Sequence, residues 1–277
     1  MKKLILASGW LLAAAGLAQA ADMPLKALLP PPVFNWTGFY VGADIGAAWG
    51  SSTTSSPLAN DPGCFVTIIP CYGAGTAADI NSHSAQSQSS SSVLGGFEAG
   101  YNLQLGYFVV GGETDIGFYR LRGSSLASVP FTGFPVPAGG TAPTYSNDVS
   151  STWSFTARGR LGFTPMADLL VYGTGGVAVA NLSHQAQFIE GVFPGTSLGT
   201  EGSISSATVT GAVYGGGVEW ALTNNWLVKA EYLHVEFGSV TGAASPVIIT
   251  GAVSGSVFTH SASLNADILR FGVDYKF

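Results

Sequence analysis

The chain has 277 residues, of which 10 are basic and 16 acidic, and its formal net charge is −6 at pH 7. This acidic balance argues against nucleic acid as a partner. Charged residues make up only 9% of the chain, well below the roughly 25% of soluble domains. The 38 glycines and the absence of a long apolar run after the N-terminal segment favour a protein that crosses a membrane with short alternating strands.

The first 20 residues are predicted to be a signal peptide. Lys2 and Lys3 form a basic start, Leu4–Leu17 is apolar, and Ala18–Ala20 supplies small residues for cleavage. The apolar stretch is shorter than the roughly 20 residues that a transmembrane helix needs. We therefore expect an exported protein.

The mature chain is expected to begin at Ala21. Removal of both early lysines leaves eight basic residues against 16 acidic ones, a net charge of −8. Residues 21–35 are rich in proline and are predicted to be an extended periplasmic lead-in. Residues 36–277 are assigned to the domain that crosses the membrane.

Two cysteines are present, Cys64 and Cys71, and their spacing lacks the C-x-x-C form of redox and zinc motifs. An exported chain passes through an oxidising compartment, which favours a disulfide within this segment. Two free thiols are the alternative.

From Trp36 onward, apolar side chains alternate with polar or small ones, as in a β-strand with two different faces. In the last such segment the apolar residues alternate with Arg270, Asp274 and Lys276, so one face is apolar and the other charged. Eight segments show this alternation: Trp36–Gly50, Ser92–Leu103, Tyr107–Arg120, Ser151–Phe163, Leu169–Asn181, Gly211–Trp220, Trp226–Phe237 and Ile268–Phe277.

The connections between these segments alternate in length. Short ones lie at Gln104–Gly106, Thr164–Asp168 and Thr223–Asn225, and long ones run near Gly50–Ser91, Gly123–Ser150, His184–Ser205 and Ser239–His260. Short turns at one end and long polar loops at the other are typical of outer-membrane barrels. The sequence therefore predicts an all-β protein: an eight-stranded antiparallel up-and-down transmembrane β-barrel with short periplasmic turns and four long extracellular loops.

Twelve charged residues lie on the face opposite to the apolar one: Asp44, Glu98, Glu113, Asp115, Arg158, Arg160, Glu219, Lys229, Glu231, Arg270, Asp274 and Lys276. A basic group on the lipid face at the bilayer midplane costs ~2–4 kcal/mol, and a register slip by one residue would move the whole set outward. We therefore predict that these charges form an ion-pair network that plugs the barrel lumen. Which charges pair with which stays open.

Aromatic residues are expected to form two girdles at the membrane surfaces. Trp36, Tyr101, Tyr107, Phe163, Trp220, Trp226, Tyr275 and Phe277 lie at the short-turn ends, and Trp49, Phe118 and Trp153 at the long-loop ends. The terminal Phe277, with Tyr275 and Val273 on the same face, resembles the C-terminal signal that the barrel-assembly machinery recognises.

Three stretches, "FNWTGFYVGADIGAAWG", "VEWALTNNWLVKAEYLHVEFG" and "ILRFGVDYKF", resemble the small outer-membrane β-barrel proteins of alphaproteobacteria, the immunogenic or porin-family proteins. The likeness covers roughly Phe34–Phe277 and is strongest at the first, seventh and eighth strands. It implies a barrel of the OmpA transmembrane type, an abundant surface protein, contact with a host or the environment, and haemin binding in some relatives. It supplies no catalytic residues.

Local motifs add no catalytic, cofactor or metal site to this interpretation. Gly173–Ala178 matches a dinucleotide fingerprint, but it lies in a strand that no helix follows. The histidines His83, His184, His234 and His260 show no ligand spacing and are interpreted as unrelated polar surface residues. The neighbours Ser183-His184 and His260-Ser261 suggest a surface hydrolase, but no third residue stands out to orient the base.

The predicted function is that of an outer-membrane surface protein with a structural and host- or environment-interaction role, without enzymatic activity or cofactor. The expected partners are outer-membrane lipid and lipopolysaccharide, the barrel-assembly machinery, and a host or environmental ligand at the loops. Two alternatives stay open: a small-solute diffusion porin, and a receptor whose loops bind haem or a host ligand.

Overall fold

The computed structural model describes residues 34–60, 74–128, 142–193, 196–249 and 252–277. The predicted signal peptide, most of the predicted lead-in, and Cys64 and Cys71 lie outside these ranges. The elements are β1 (Gly38–Ser55), β2 (Leu58–Asn60), α1 (Ala74–Ser82), β3 (Ala85–Leu105), β4 (Phe108–Ser128), β5 (Thr144–Met166), β6 (Leu169–Phe193), β7 (Thr196–Ala221), β8 (Trp226–Thr241), β9 (Ser245–Ile249), β10 (Ala252–Phe258) and β11 (Ser261–Lys276). In the described ranges, no helix is long and apolar enough to cross a bilayer.

Eight long strands form a closed antiparallel ring in the order β1, β3, β4, β5, β6, β7, β8 and β11. The last strand closes the ring against the first, with Tyr40 opposite Lys276 at one end and Ser55 opposite Ser261 at the other. Closure gives the strand hydrogen bonds partners on both sides, which lipid cannot supply. The predicted eight-stranded up-and-down barrel is confirmed. The short strands β2, β9 and β10 extend the sheet from β7, outside the ring.

The two faces of the wall follow the predicted alternation. On β1, Phe39 and Ile45 are 67% and 64% exposed, whereas Asp44 between them is 7% exposed. On β11, Phe271 is exposed and Arg270 is buried. The outward apolar side chains form the belt that faces lipid, and the charges face the interior.

The strands are longer than predicted at the end opposite the short turns. Strands β6 and β7 have 25 and 26 residues, whereas about 9–11 residues cross a bilayer. The prediction of a long loop near His184–Ser205 was wrong, because β6 ends at Phe193 and β7 begins at Thr196. Outward residues such as Gln185 and Gln187 are polar here, yet their neighbours Ala186 and Phe188 are buried inside. The alternation therefore continues where lipid no longer demands apolar outward residues.

The interior is filled in layers, and β6 passes through them in order. From the short-turn end it contributes Leu170 to a "periplasmic plug", Leu182 to an "apolar layer", His184 to a "polar layer" and Phe188 to a "cap". Between the plug and the apolar layer lies the "ion-pair layer", where Gly176 of β6 is opposite Arg158.

These layers are defined by their buried residues. The plug contains Trp36, Val109, Leu170, Tyr172 and Leu227. The apolar layer includes Leu94, Tyr119, Leu121, Leu182, Val213, Leu233, Val235, Leu264 and Ile268. The polar layer consists of Ser56, Asn147, His184, Glu201 and His260. The cap contains Leu58, Ile80, Tyr145, Phe188, Val247 and Phe258.

Trp36 lies inside the periplasmic mouth and is only 1% exposed, so its predicted place in the aromatic girdle was wrong. It precedes β1 and is therefore not bound to the face alternation of the strand. Its backbone N–H donates to Gln104 Oε1 at 2.8 Å, and its indole Nε1–H donates to the Ala167 carbonyl at 3.2 Å. Trp36 thus joins the segment before β1 to two short turns, through its backbone at Gln104 and its side chain at Ala167.

We expect Trp36→Ala to lower the free energy of unfolding by about 3 kcal/mol, because a large buried side chain and its hydrogen bond are removed. Urea unfolding in lipid vesicles measures this. The matched control is Tyr107→Ala, since Tyr107 is 79% exposed in a neighbouring turn. Equal effects of both substitutions would contradict a role for Trp36 in the plug.

Candidate functional site

The ion-pair layer is built from cross-strand pairs that point inward at similar heights. Three pairs of neighbouring strands place a cation directly opposite a carboxylate: Glu113 faces Arg158, Glu231 faces Arg270, and Glu219 faces Lys229. A fourth pair places two carboxylates opposite each other, Glu98 and Asp115. Neutralisation of these groups requires contacts across the lumen, because two facing carboxylates repel each other.

Glu113 is the centre of the layer. Its side chain is fully buried and forms ion pairs with Arg158, Arg160, Lys229 and Arg270, the last three at 3.2, 3.3 and 3.5 Å. The Tyr40 hydroxyl also donates to Glu113 Oε2 at 2.7 Å. One carboxylate thus contacts four cations from three strands.

Arg270 contacts carboxylates from four other strands, β1, β3, β4 and β8. Its guanidinium lies within 3.6 Å of Glu231, Asp115, Asp44, Glu113 and Glu98, with the shortest distance of 2.6 Å to Glu231. Arg158 likewise joins Glu113, Asp115 and Glu231. Several carboxylates around each guanidinium offset the cost of removing these charges from water, which a single pair rarely does.

Arg160 connects the ion-pair layer to the plug. It pairs with Glu219, donates to the Tyr40 hydroxyl at 2.6 Å, and its guanidinium carbon lies 3.8 Å from the centroid of the Tyr172 ring. Such a stacked cation gains electrostatic attraction from the ring face. The alternation placed Tyr40 on the inner face, but no sequence pattern indicated that either tyrosine would contact a cation.

The polar layer holds two of the histidines, His184 and His260, each 1% exposed. Their interpretation as unrelated surface residues was therefore wrong. His260 Nδ1 lies 2.9 Å from Ser56 Oγ and its Nε2 lies 3.0 Å from Glu201 Oε1. The two imidazole centroids are 6.2 Å apart, and His184 Nε2 lies 3.0 Å from Asn147 Oδ1. Within the described residues, no group of three His, Cys, Asp or Glu side chains is arranged to hold a metal ion.

The contact between Ser56, His260 and Glu201 has the composition of a hydrolytic triad. Ser56 is completely buried, however, and Glu201 is 4% exposed. A nucleophile must reach its substrate, so this chain of hydrogen bonds acts as a staple between β7 and the ends of β1 and β11.

Comparisons with known proteins agree with this architecture. The model of the "Outer membrane protein beta-barrel domain" family matches residues 9–277. The chain belongs to this outer-membrane β-barrel family. It is 29% identical over 287 residues to the 31 kDa outer-membrane immunogenic protein of Brucella melitensis, covering 100% of both chains. It is 27% identical over 220 residues to the 22 kDa outer membrane protein of Rhizobium leguminosarum, covering 79% of this chain and 71% of that one.

Among solved structures, the outer membrane protein OprG of Pseudomonas aeruginosa matches 89% of this chain and 99% of its own, with 10% identity and a TM-score of 0.42. The family assignment and the outer-membrane names of the relatives locate this protein in the outer membrane. They support the resemblance inferred from the three quoted stretches.

Two of the twelve predicted network residues lie on the inner face of this family barrel without an ion pair to the described residues. Asp274 is fully buried opposite Gly42, where an added Cβ would lie 1.7 Å from Asp274 Oδ1 and 3.0 Å from Glu98 Oε1. Asp274 therefore lies next to the Glu98 carboxylate and forms no ion pair with the described residues. Lys276 lies two residues closer to the periplasm than Asp274, and its Nζ is 5.4 Å from the Phe34 ring centroid. The other ten residues are joined by ion pairs.

The remaining sequence motifs are separated by the strand alternation. Ser183 faces outward and donates to or accepts from Ser206, whereas the adjacent His184 faces inward. His234 lies on the outer side of β8, 2.7 Å from Asp267. Val273, Tyr275 and Phe277 are exposed on one face of β11 and its end, and their recognition by the assembly machinery stays a prediction.

Glycines in the ion-pair layer allow close strand packing, as the Gly173–Ala178 segment shows. A Cβ added at Gly176 would lie 2.1 Å from the Ala157 carbonyl oxygen and 2.7 Å from Arg158 Cα, whereas at Gly175 the nearest atom is 3.8 Å away.

We expect Gly176→Ala to lower the free energy of unfolding by about 1–3 kcal/mol, because backbone atoms must move. Gly175→Ala is the matched control and should be nearly neutral. Similar unfolding midpoints for the two variants would contradict this packing.

Acidification should loosen the polar layer and the cap. Burial first and the nearby His260 second lower the pKa of His184, Glu201 opposes them, and the net result is a pKa of about 4. An unfolded histidine has a pKa of about 6.5, so the stabilising contribution is complete above that pH and is lost as pH falls towards 4.

We expect faster hydrogen exchange in residues 144–150 and 182–188 at pH 4.5 than at pH 7, after correction for intrinsic exchange. His184→Gln should reduce this difference, and His83→Gln should not, because His83 is exposed and bonded locally to Asp79. An unchanged pH response in the His184 variant would exclude His184 as its origin.

Proposed function

We propose that this protein is a sealed outer-membrane barrel with a structural and surface-interaction role, and that it does not conduct solutes. The observation that carries this proposal is the filled interior. The plug, the ion-pair layer and the apolar layer follow one another along the axis, and each consists of buried side chains. An eight-stranded ring is only just wide enough for its own side chains.

Support for a surface role comes from the outer end of the barrel. Strands β6 and β7 continue well beyond the length that crosses a bilayer, and α1, β2, β9 and β10 are added at the same end. The cap packs these additions together through Leu58, Ile80, Val247 and Phe258. This packed extension presents a defined surface to the exterior. The name of the Brucella relative describes an immunogenic outer-membrane protein.

The diffusion-porin alternative requires a continuous aqueous path. The ion-pair layer alone is polar and could exchange with water, but the apolar layer beyond it excludes ions. A sealed barrel therefore differs from a charge-plugged pore in one respect: removal of charges should weaken the protein without opening it.

The double variant Arg158→Ala/Arg160→Ala tests this distinction. Glu113, Glu219 and Glu231 lose partners, and removing one member of a buried pair costs about 3–5 kcal/mol. We expect a lower urea midpoint, and conductance in planar bilayers at the baseline for both the wild type and the variant.

The control is Arg120→Ala/Arg122→Ala, two outward arginines with the same spacing, which should leave the urea midpoint nearly unchanged. The heat-dependent shift on a detergent gel verifies that each variant is a folded barrel. A large steady conductance of the wild type would replace this proposal by the diffusion porin, and conductance in the double variant alone would show that the charges are the seal.

A further inference from the structure

The distribution of positive charge on the outer wall is very uneven. Of the basic residues in the described ranges, Arg158, Arg160, Lys229 and Arg270 are buried in the ion-pair layer, and Lys276 lies at the periplasmic mouth. Arg120 and Arg122 are the remaining basic residues of those ranges, and both are exposed on β4. The two outward cations of an acidic protein thus lie two positions apart on one strand.

Their height coincides with the outer boundary of the apolar belt. Phe118, two positions before Arg120, is 52% exposed and lies opposite Trp153 of β5. Arg122 also borders a groove that contains Trp49. Aromatic residues of this kind mark the level where acyl chains end and headgroups begin. The two guanidinium groups therefore lie at the level of the lipid headgroups.

The strands are irregular at this height, and side chains stabilise the irregularity. The β4–β5 register shifts between Phe118 and Leu121, and the β5–β6 register shifts between Ser150 and Ser154. Ser92 Oγ accepts the Arg120 N–H at 2.9 Å. Asn181 Oδ1 accepts the N–H groups of Thr152 and Trp153 at 2.9 and 3.1 Å. Bulges redirect side chains and recur near binding sites.

A groove of about 280 Å³ lies beside the two arginines on the outer wall. The hydroxyls of Ser150, Thr152 and Ser183 line it together with Asp148. Asp148 Oδ1 lies 3.8 Å from Arg122 Nη2; the Arg122 side chain is largely open to solvent and the Asp148 side chain partly so, so this pair is weak. The groove thus combines two guanidinium forks, which suit phosphate oxygens, with the hydroxyls of Ser150 and Ser183. The Thr152 hydroxyl already donates to Asn181 Oδ1 at 3.2 Å.

We propose that Arg120, Arg122 and the hydroxyls of Ser150 and Ser183 bind the phosphate-bearing headgroup of an outer-leaflet lipid. The membrane holds such a headgroup at the height of the arginines, and the opposite charge of the phosphates complements them. This site goes beyond the sealed-barrel function and does not depend on whether the lumen conducts.

Lipid retention measured by native mass spectrometry tests the proposal. The protein is refolded in phosphatidylcholine nanodiscs that contain either bisphosphorylated lipid A or the same lipid without phosphates. Wild type should retain the phosphorylated lipid at least tenfold more often, and this preference should fall as salt rises. Arg120→Gln/Arg122→Gln should lose it, and Lys276→Gln should keep it, although it also removes a positive charge.

Two further retention measurements identify the ligand. Asp148→Asn should strengthen retention, because the competing carboxylate becomes neutral. Inorganic phosphate and heparin, added at matched phosphate or sulfate concentration, should not displace the lipid. Equal retention of both lipids by the wild type, or unchanged retention in the glutamine variant, would overturn the proposal. Displacement by heparin would reassign the groove to a soluble polyanion and overturn the lipid assignment.

Discussion

Neutralisation of the inner face inside a closed ring is the constraint on which the structure depends. Six carboxylates and four cations are joined by ion pairs in the ion-pair layer. Their partners come from strands far apart in the chain: Arg270 contacts Asp44 across 226 positions. An open sheet could not bring these groups together, and a register slip would expose them to lipid. The charges thus favour both closure and one register, while the lipid belt needs only apolar outward residues.

The sequence predicted correctly which side of the barrel wall a side chain faces, but it did not predict the height of that side chain along the barrel axis. Alternation with a period of two assigns every strand residue to one side of the wall, so Asp44, Glu113 and Arg158 were placed correctly inside. The height of a side chain along the axis depends on strand tilt and on the stagger of the closed ring, and neither can be derived from a single strand. Asp274 and Lys276 therefore fell on the correct face but at heights where they form no ion pair with the described residues.

The outer ends of the strands were predicted to be loops, because their outward side chains face water instead of lipid. Within the membrane, a strand is visible as apolar residues alternating with polar ones. Beyond it, outward positions such as Ser183 and Gln185 become polar while inward positions include Leu182 and His184. A polar composition then suggests a loop, although the backbone pairing continues. The polar layer was not predicted for a related reason. A buried histidine cannot be distinguished from a surface histidine in the sequence unless its neighbours across the ring are known.

Because the interior of the barrel is filled with side chains, the residues that are available to a ligand lie on its outside. A small ring can bury charge only by pairing it, and the four cations of the ion-pair layer are already shared among several carboxylates. They are therefore not available to a ligand. Arg120 and Arg122 differ because they face solvent beside hydroxyl groups, at a place where the sheet departs from regular pairing. Irregular pairing weakens a sheet unless side chains replace the lost hydrogen bonds, as Ser92 and Asn181 do here. Regular strand pairing would have been enough to close the barrel. The stabilised irregularity beside Arg120 and Arg122 is therefore better explained by ligand binding than by folding.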